Sequence, residues 1–192
     1  KTSLSIRLAN ELNCPILSAD SRQFYKEMNI GTAKPNAKEL AQADHYFIGT
    51  KSIHDAYTVG DYEKEALELC TELFKKHKIL ILVGGSGLFI DALTVGLNKF
   101  PFVPEQVKLE VQELYETNGL SYIQEKLKKE DPEYYEIVDL QNPARIMRAL
   151  TITKTTDKTF SYYRNQKLPI RSFQSNYFAL DWDRPKLYNR IN

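Results

Sequence analysis

Cysteine is almost missing from this chain of 192 residues: only Cys14 and Cys70 occur. Two thiols build neither a disulfide framework nor the paired spacing of a zinc site, so reduced thiols in a cytoplasmic protein are expected. Histidine is nearly as scarce. His45, His54 and His77 have no metal-ligand spacing and no nucleophile partner, and His45 is expected to pack or hydrogen-bond in a sheet region. There is no long apolar run: the longest aliphatic stretch is ILILV, residues 79–83, far short of the ~20 residues a membrane helix needs. No signal peptide is visible, because the opening KTSLSIRLANEL alternates charged and apolar residues at helical spacing. An excess of one charge is absent too, and a net charge of +1 argues against a generally basic nucleic-acid binder. What remains is 42% apolar and 27% charged, the composition of a soluble globular protein. The length suffices for one well-packed core with a smaller appendage.

The charge is unevenly placed. Between Glu105 and Glu136 there are nine acidic and four basic side chains; between Arg145 and Arg171 there are seven basic and one acidic. The second stretch is either a local phosphate-attracting surface or an ordinary solvated one.

Leu4, Leu8, Ala9 and Leu12 share a helical stripe, so residues 3–13 are expected to form an amphipathic helix, stopped at Asn13-Cys14-Pro15. Ile16 to Ala19 then reads as a buried strand. A helix over KPNAKELAQADH with Pro35 near its start, and a strand over Tyr46 to Gly49, follow. Residues 61–77 form a further helix that Asp61 can cap, with Ala66, Cys70 and Leu73 on its stripe. ILILV, GGSG and LFIDAL then give strand, glycine turn and helix. Helices alternating with fully apolar strands point to an α/β fold with a parallel sheet.

From about Pro101 the pattern changes to charged amphipathic helices: two over 104–129, broken at Asn118-Gly119, and others starting at Pro132 and Pro143. The expected organisation is an α/β core over 1–100 and 172–192, with a helical insertion over 101–171. A last strand, SNYFALDW at 175–182, returns to the sheet pattern, and Asp183 can cap the closing helix. The abrupt start and the last helix, cut off in register, suggest a fragment at both ends.

Three stretches carry chemistry. Lys1-Thr2 ahead of a helix is how a phosphate-binding P-loop ends; it is equally an ordinary helix start, since the P-loop glycines are not in the sequence. VGGSG, Val83 to Gly87, allows close backbone approach and outward N–H groups, or is simply a tight turn. DSRQFYKEMNIGTAKP begins just past a strand end. There Asp20 can hold magnesium, accept a proton or cap a helix, and Gln23 offers both a donor and an acceptor to a base edge. Strands of a parallel sheet end on one side, so all three should share one crevice, where open α/β sheets bind ligands.

Taken in order after Lys-Thr, DSRQFYKEMNIGTAKP, VGGSGLFIDAL and NPARIMRAL closely resemble the tRNA dimethylallyltransferases, also called tRNA isopentenyltransferases. GDYEKEA and LDWDRPKLYNRIN also fit, so the likeness covers essentially the whole chain. The resemblance implies a P-loop NTPase-like parallel sheet flanked by helices, with a helical insertion domain. It implies transfer of a dimethylallyl group from dimethylallyl diphosphate to N6 of adenosine 37, beside the anticodon of tRNA. By the same likeness Asp20 is the general base, with Ser21, Arg22 and Gln23 completing a tRNA-contacting stretch. Lys1, Thr2 and Arg190 grip the diphosphate, Arg190 taking part in catalysis and Thr2 holding Mg2+. Ser86 stands where a tRNA-contacting Thr is usual, and Lys108 sits at a basic tRNA-contacting position. Ala144, Arg145, Ile146, Met147 and Arg148 match a further tRNA-interacting segment, in which Gln is usual at Ala144. TTDK, 155–158, replaces a commoner Thr-Gly-Lys. The expected partners are the tRNA anticodon stem-loop and dimethylallyl diphosphate, with no membrane, and the expected form is a monomer.

Adenine N6 is a poor nucleophile, so rate must come from positioning, a base and stabilisation of the leaving diphosphate, with the target base extruded from its stack. The competing readings are an isopentenyltransferase acting on free adenine nucleotide, a P-loop small-molecule kinase, and an RNA-binding module with a decayed site.

Overall fold

The computed structural model describes the backbone of residues 1–191 and the side chains of residues 1–189. The chain divides into two compact units, one of Lys1–Leu97 with Pro169–Asn192, the other of Asn98–Leu168.

In the first unit, α1 (Thr2–Leu12) leads into β1 (Ile16–Ser18) through Asn13, which takes the left-handed conformation at φ 48° and ends the helix. Asparagine is one of the few residues other than glycine that adopt it readily. β1 is flanked by β2 (His45–Tyr46) and β3 (Ile81–Val83) in the order β2-β1-β3, and both pairings are parallel. Alternation along β1 sends consecutive residues to opposite faces. Ile16 packs with Ile6 and Ala9 of α1, while Leu17 joins a larger core containing Phe24, Phe47, Tyr62, Ala66, Cys70 and Leu93. α3 (Val59–Leu73) supplies Tyr62, Ala66 and Cys70 to that core and α4 (Gly87–Thr94) supplies Leu93.

Local chemistry moved several expected boundaries. α2 is only Ala37–Leu40; it starts after Pro35, where Asn36 and Glu39 close a capping box. α3 begins earlier than Asp61. Thr58 is its cap, with Asp61 N–H donating to Thr58 Oγ1 at 3.2 Å and Thr58 N–H donating to Asp61 Oδ2 at 2.8 Å. It ends at Leu73, so Lys75, Lys76 and His77 lie beyond its last turn.

The strand expected at 175–182 does not form. Its run from Tyr177 to Leu180 is apolar, but Phe178 is 92% exposed, and no strand is assigned there among the described residues. A strand needs a neighbouring edge to pair its backbone groups as well as a period-two pattern. The segment is held instead by a side chain, Tyr177 Oη donating to Thr94 Oγ1 at 2.7 Å, and just before it the Phe173 ring lies tilted against Phe74, centroids 5.6 Å apart.

The second unit is helical among its described residues. α5 (Glu105–Glu130) is two helices joined at Gly119, whose φ of 79° breaks the helical path at the expected Asn-Gly. α6 (Pro132–Tyr135) and α7 (Pro143–Thr156) both start on proline, whose missing N–H costs nothing in a first turn. α8 (Phe160–Arg164) follows a Thr159 cap, and α9 (Arg184–Ile191) closes the chain in the first unit. Val111, Ile123, Leu127, Ile146, Ala149 and Leu150 form the helical core. Buried Asp131 ties α6 to α8, accepting from Tyr134 N–H at 3.1 Å, Ser161 N–H at 2.8 Å and Ser161 Oγ at 2.6 Å.

Candidate functional site

At the C-terminal edge of the sheet lies a cavity of about 250 Å³ lined by Lys1, Thr2, Ser18, Asp20, Gln23, Gly84 and Gly85, among others. β1 ends at Ser18, so Asp20 follows just past the strand, as its place in the sequence suggested. The turn after β3 is packed directly on it. A Cβ on Gly84 would stand 2.2 Å from Ala19 O, so only glycine fits there. A Cβ on Gly85 would stand 3.5 Å from Asp20 Oδ2 and 3.8 Å from Lys1 Nζ, so anionic and cationic groups flank one glycine. Lys1 Nζ donates to Gly84 O at 3.0 Å, which fixes the ammonium against the turn.

Within the acidic loop each side chain has a definite partner. Asp20 Oδ1 accepts from Arg22 N–H at 3.0 Å, leaving Oδ2 on the side of the turn. Ser86 heads α4 but does not cap it. Its Oγ accepts from Ser21 N–H and donates to Ser21 Oγ, both at 3.0 Å, so it joins the two loops. The Gln23 amide donates to Thr32 O at 3.0 Å and Ala33 O at 3.1 Å, while its Oε1 accepts from Ser18 Oγ at 3.3 Å. The expectation that Gln23 offers a base both a donor and an acceptor is therefore corrected: both amide hydrogens are committed to carbonyls. Arg22 is exposed.

Sequence reasoning overlooked part of the wall. Thr32, Ala33 and Pro35 of NIGTAKP line the cavity, as do His45 and Ile48. Lys34 holds this loop by donating to Tyr25 O at 2.8 Å and Asn29 Oδ1 at 3.0 Å. Ala33 sits at φ 49°, a strained conformation for a residue with a Cβ, of the kind concentrated at functional sites. The Gly-Thr-Ala-Lys-Pro run was the available signal. His45 does hydrogen-bond in the sheet region, its Nδ1 lying 2.7 Å from Ala43 O, and it also borders the cavity.

Lys108 and residues 144–148 belong to the other unit. Lys108 pairs with Glu105 at 2.8 Å. Ala144, Arg145 and Arg148 are exposed on α7, and neither arginine forms an ion pair among the described residues. Ile146 is fully buried in the helical core and Met147 packs against it, so a tRNA contact through the Ile146 side chain is excluded. The basic stretch is also partly neutralised, because Lys154 pairs with Glu110 and Arg171 with Glu63. Arg190, expected to bind diphosphate, has its side chain outside the described residues.

Residues 23–192 match the family model described as IPP transferase. The chain belongs to this family. Among curated relatives, the tRNA dimethylallyltransferase of Christiangramia forsetii is 50% identical over 192 residues, all of this chain and 64% of that protein. The one from Flavobacterium psychrophilum is 48% identical over 198 residues, again 64% of its length. This IPP transferase chain thus spans somewhat under two thirds of those relatives. Among solved structures, the tRNA isopentenylpyrophosphate transferase of Bacillus halodurans is 34% identical with a TM-score of 0.51, covering 81% of this chain and 52% of that one. A eukaryotic dimethylallyltransferase acting on tRNA has a TM-score of 0.71 at 24% identity, over 87% of this chain and 42% of that one, and bears on the fold alone. The IPP transferase fold is accordingly a P-loop-like parallel sheet with flanking helices. No helix among the described residues is long and apolar enough to cross a membrane.

Proposed function

We propose that this chain carries the catalytic centre of a tRNA dimethylallyltransferase, moving the five-carbon group from dimethylallyl diphosphate to N6 of adenosine 37. The observation that carries the reading is the convergence of Asp20 and Gln23 with Lys1 and Thr2 on one cavity in a chain of this family.

In the reaction a bond forms between adenine N6 and the allylic carbon, while the carbon–oxygen bond to diphosphate breaks and the diphosphate leaves with its electron pair. The N6 proton passes to Asp20, whose Oδ2 faces the glycine turn. General-base help of this kind typically gives ~10²–10⁴-fold. Stabilising the leaving group is the larger demand, and Lys1, held beside Gly84 and Gly85, supplies positive charge where it develops. Arg190 adds to that charge by the family likeness.

A magnesium ion fits the donor set. Thr2 and Asp20 bring hard oxygen atoms to the same cavity, and no cluster of three or more His, Cys, Asp or Glu able to hold a metal exists among the described residues. Mg2+ commonly binds through one or two protein oxygens plus substrate phosphates and water. Thr2 would hold it, leaving the Asp20 carboxylate to accept the proton, and it would add charge neutralisation at the diphosphate.

The exposed Arg145 and Arg148 suit phosphate contacts that position tRNA without reading its sequence. The reading assigns the protein to the cytoplasm, where two buried, unpaired thiols stay reduced. Mass spectrometry of tRNA incubated with the protein and dimethylallyl diphosphate tests the proposal. A gain of one C5H8 on an adenosine beside the anticodon supports it. Modified free AMP or ATP, or ATP consumption without prenyl transfer, overturns it.

A further inference from the structure

Gln23 is held in one amide orientation by groups that can only accept. Thr32 O and Ala33 O lie 3.0 and 3.1 Å from Nε2. A carbonyl oxygen has no hydrogen to give, so Nε2 must face both carbonyls and Oε1 must face the other way. Oε1 takes one hydrogen bond, from Ser18 Oγ at 3.3 Å. A carbonyl oxygen has two lone pairs, so one acceptor position remains, and Gln23 borders the cavity. The carbonyls are not free to turn away. Lys34 and the Thr32 hydroxyl, which donates to Met28 O at 2.9 Å, brace the loop that carries them.

From this we infer that Gln23 is a specificity-determining residue that reads the substrate base only as an acceptor, through Oε1, and gives nothing to ring nitrogens. Resting on the tRNA-prenylating reading above, it follows that the loop offers the base two acceptors: the Asp20 carboxylate and the Gln23 carbonyl oxygen. An exocyclic amine with two hydrogens satisfies both, one hydrogen leaving to Asp20 and the other held by Gln23. A carbonyl at that position, as in guanine, uracil or hypoxanthine, would set oxygen against oxygen. The amide selects the amino group itself, and the ring atoms beside it go unread by this residue.

The test uses anticodon stem-loop RNA carrying adenine, purine, 1-deazaadenine or 7-deazaadenine at the target position. Binding to the full chain is measured by fluorescence anisotropy with inorganic pyrophosphate present. Purine lacks the amine, and each deaza base lacks one ring acceptor. In wild type, purine should bind roughly ten- to a hundredfold more weakly than adenine, the scale of two hydrogen bonds. In Gln23→Met, which keeps the volume and loses the acceptor, that penalty should shrink by roughly three- to tenfold, the share of Gln23, while the share of Asp20 remains. The deaza penalties should be the same in both proteins. A deaza penalty that disappears in Gln23→Met overturns the inference, because Gln23 would then be a donor. An unchanged purine penalty in Gln23→Met overturns it equally, because Gln23 would not touch the amine.

Should the variant misfold, the wild-type side-chain amide protons of Gln23 decide. With adenine RNA bound, through-hydrogen-bond NMR couplings should still join them to the Thr32 and Ala33 carbonyl carbons; a coupling to a ring nitrogen of the base refutes the assignment. Failure of wild type to prenylate adenine RNA would strike the underlying function, whereas normal prenylation with the wrong coupling pattern strikes only the role of Gln23.

Discussion

Gly84→Ala gives the sharpest test of how the site is built. The added Cβ would meet Ala19 O at 2.2 Å, Ala19 C at 2.4 Å and Ala19 Cα at 2.9 Å, where ordinary contact begins at 3.4 Å. All three are backbone atoms, so no side chain can swing aside, and the turn must retreat from the end of β1 by about 1 Å. Two bonds cross that seam: Ala19 N–H to Val83 O at 2.8 Å and Ser86 N–H to Ala19 O at 3.3 Å. Overpacking costs about 1–3 kcal/mol and each backbone bond about 1 kcal/mol, for a total of about 3–5 kcal/mol. The chain has a single tryptophan, Trp182, in the first unit, so its fluorescence during urea unfolding reports the unit concerned. The midpoint should fall by roughly 1–3 M. Gly87→Ala, three residues on, is the control. Nothing lies within 4 Å of its Cβ position at the start of α4, so it should be stabilised by about 0.4–1 kcal/mol. A Gly84→Ala midpoint within about 0.3 M of wild type would falsify the close-approach argument.

Asp20→Asn keeps the shape of the loop and removes the base. Turnover should fall ~10²–10⁴-fold while tRNA affinity stays within a few-fold, and undiminished turnover removes Asp20 from the chemistry. Arg145→Ala with Arg148→Ala should flatten the dependence of log affinity for tRNA on log salt by about 1.5, and an unchanged slope refutes phosphate contact by this face. Burial pushes the Cys70 thiol up to about 11 and the Cys14 thiol upward as well. Folding thus favours the neutral thiol, and this contribution is present below the ordinary thiol value and lost as pH rises through about 11. Iodoacetamide at pH 8 should label neither cysteine until urea unfolds the chain, and rapid native labelling of Cys70 would contradict its burial.

How much of this was legible beforehand varies with the range over which the cause acts. The break at Gly119, the proline starts at Pro132 and Pro143, and the buried stripe Ala66, Cys70 and Leu73 follow from local chemistry, and the structure has all of them. Asp61 was placed in the right turn with the wrong duty, because Thr58 three residues earlier is an equally good cap and the box uses both. Residues 175–182 show the limit of local propensity: an apolar, aromatic run suits a strand and cannot supply the strand edge it needs. Ile146 lies inside the segment recognised by likeness, yet helical phase turns it into the core while Arg145 and Arg148 stay outside.

The order of residues alone determined the α/β character of the first unit, the helical character of the second, and the presence of Asp20, Gln23, Lys1 and Thr2. It did so because helix caps, glycine turns and apolar spacing act within a few residues. Only the tertiary structure decided that Gly84 rests on Ala19, that Ser86 bonds Ser21 rather than capping its own helix, and that Gln23 has spent both its hydrogens. Those facts are contacts between segments brought together by the parallel pairing of β1 with β3 and by the return of the NIGTAKP loop. No spacing along a chain specifies which partner a polar group will find once such segments meet.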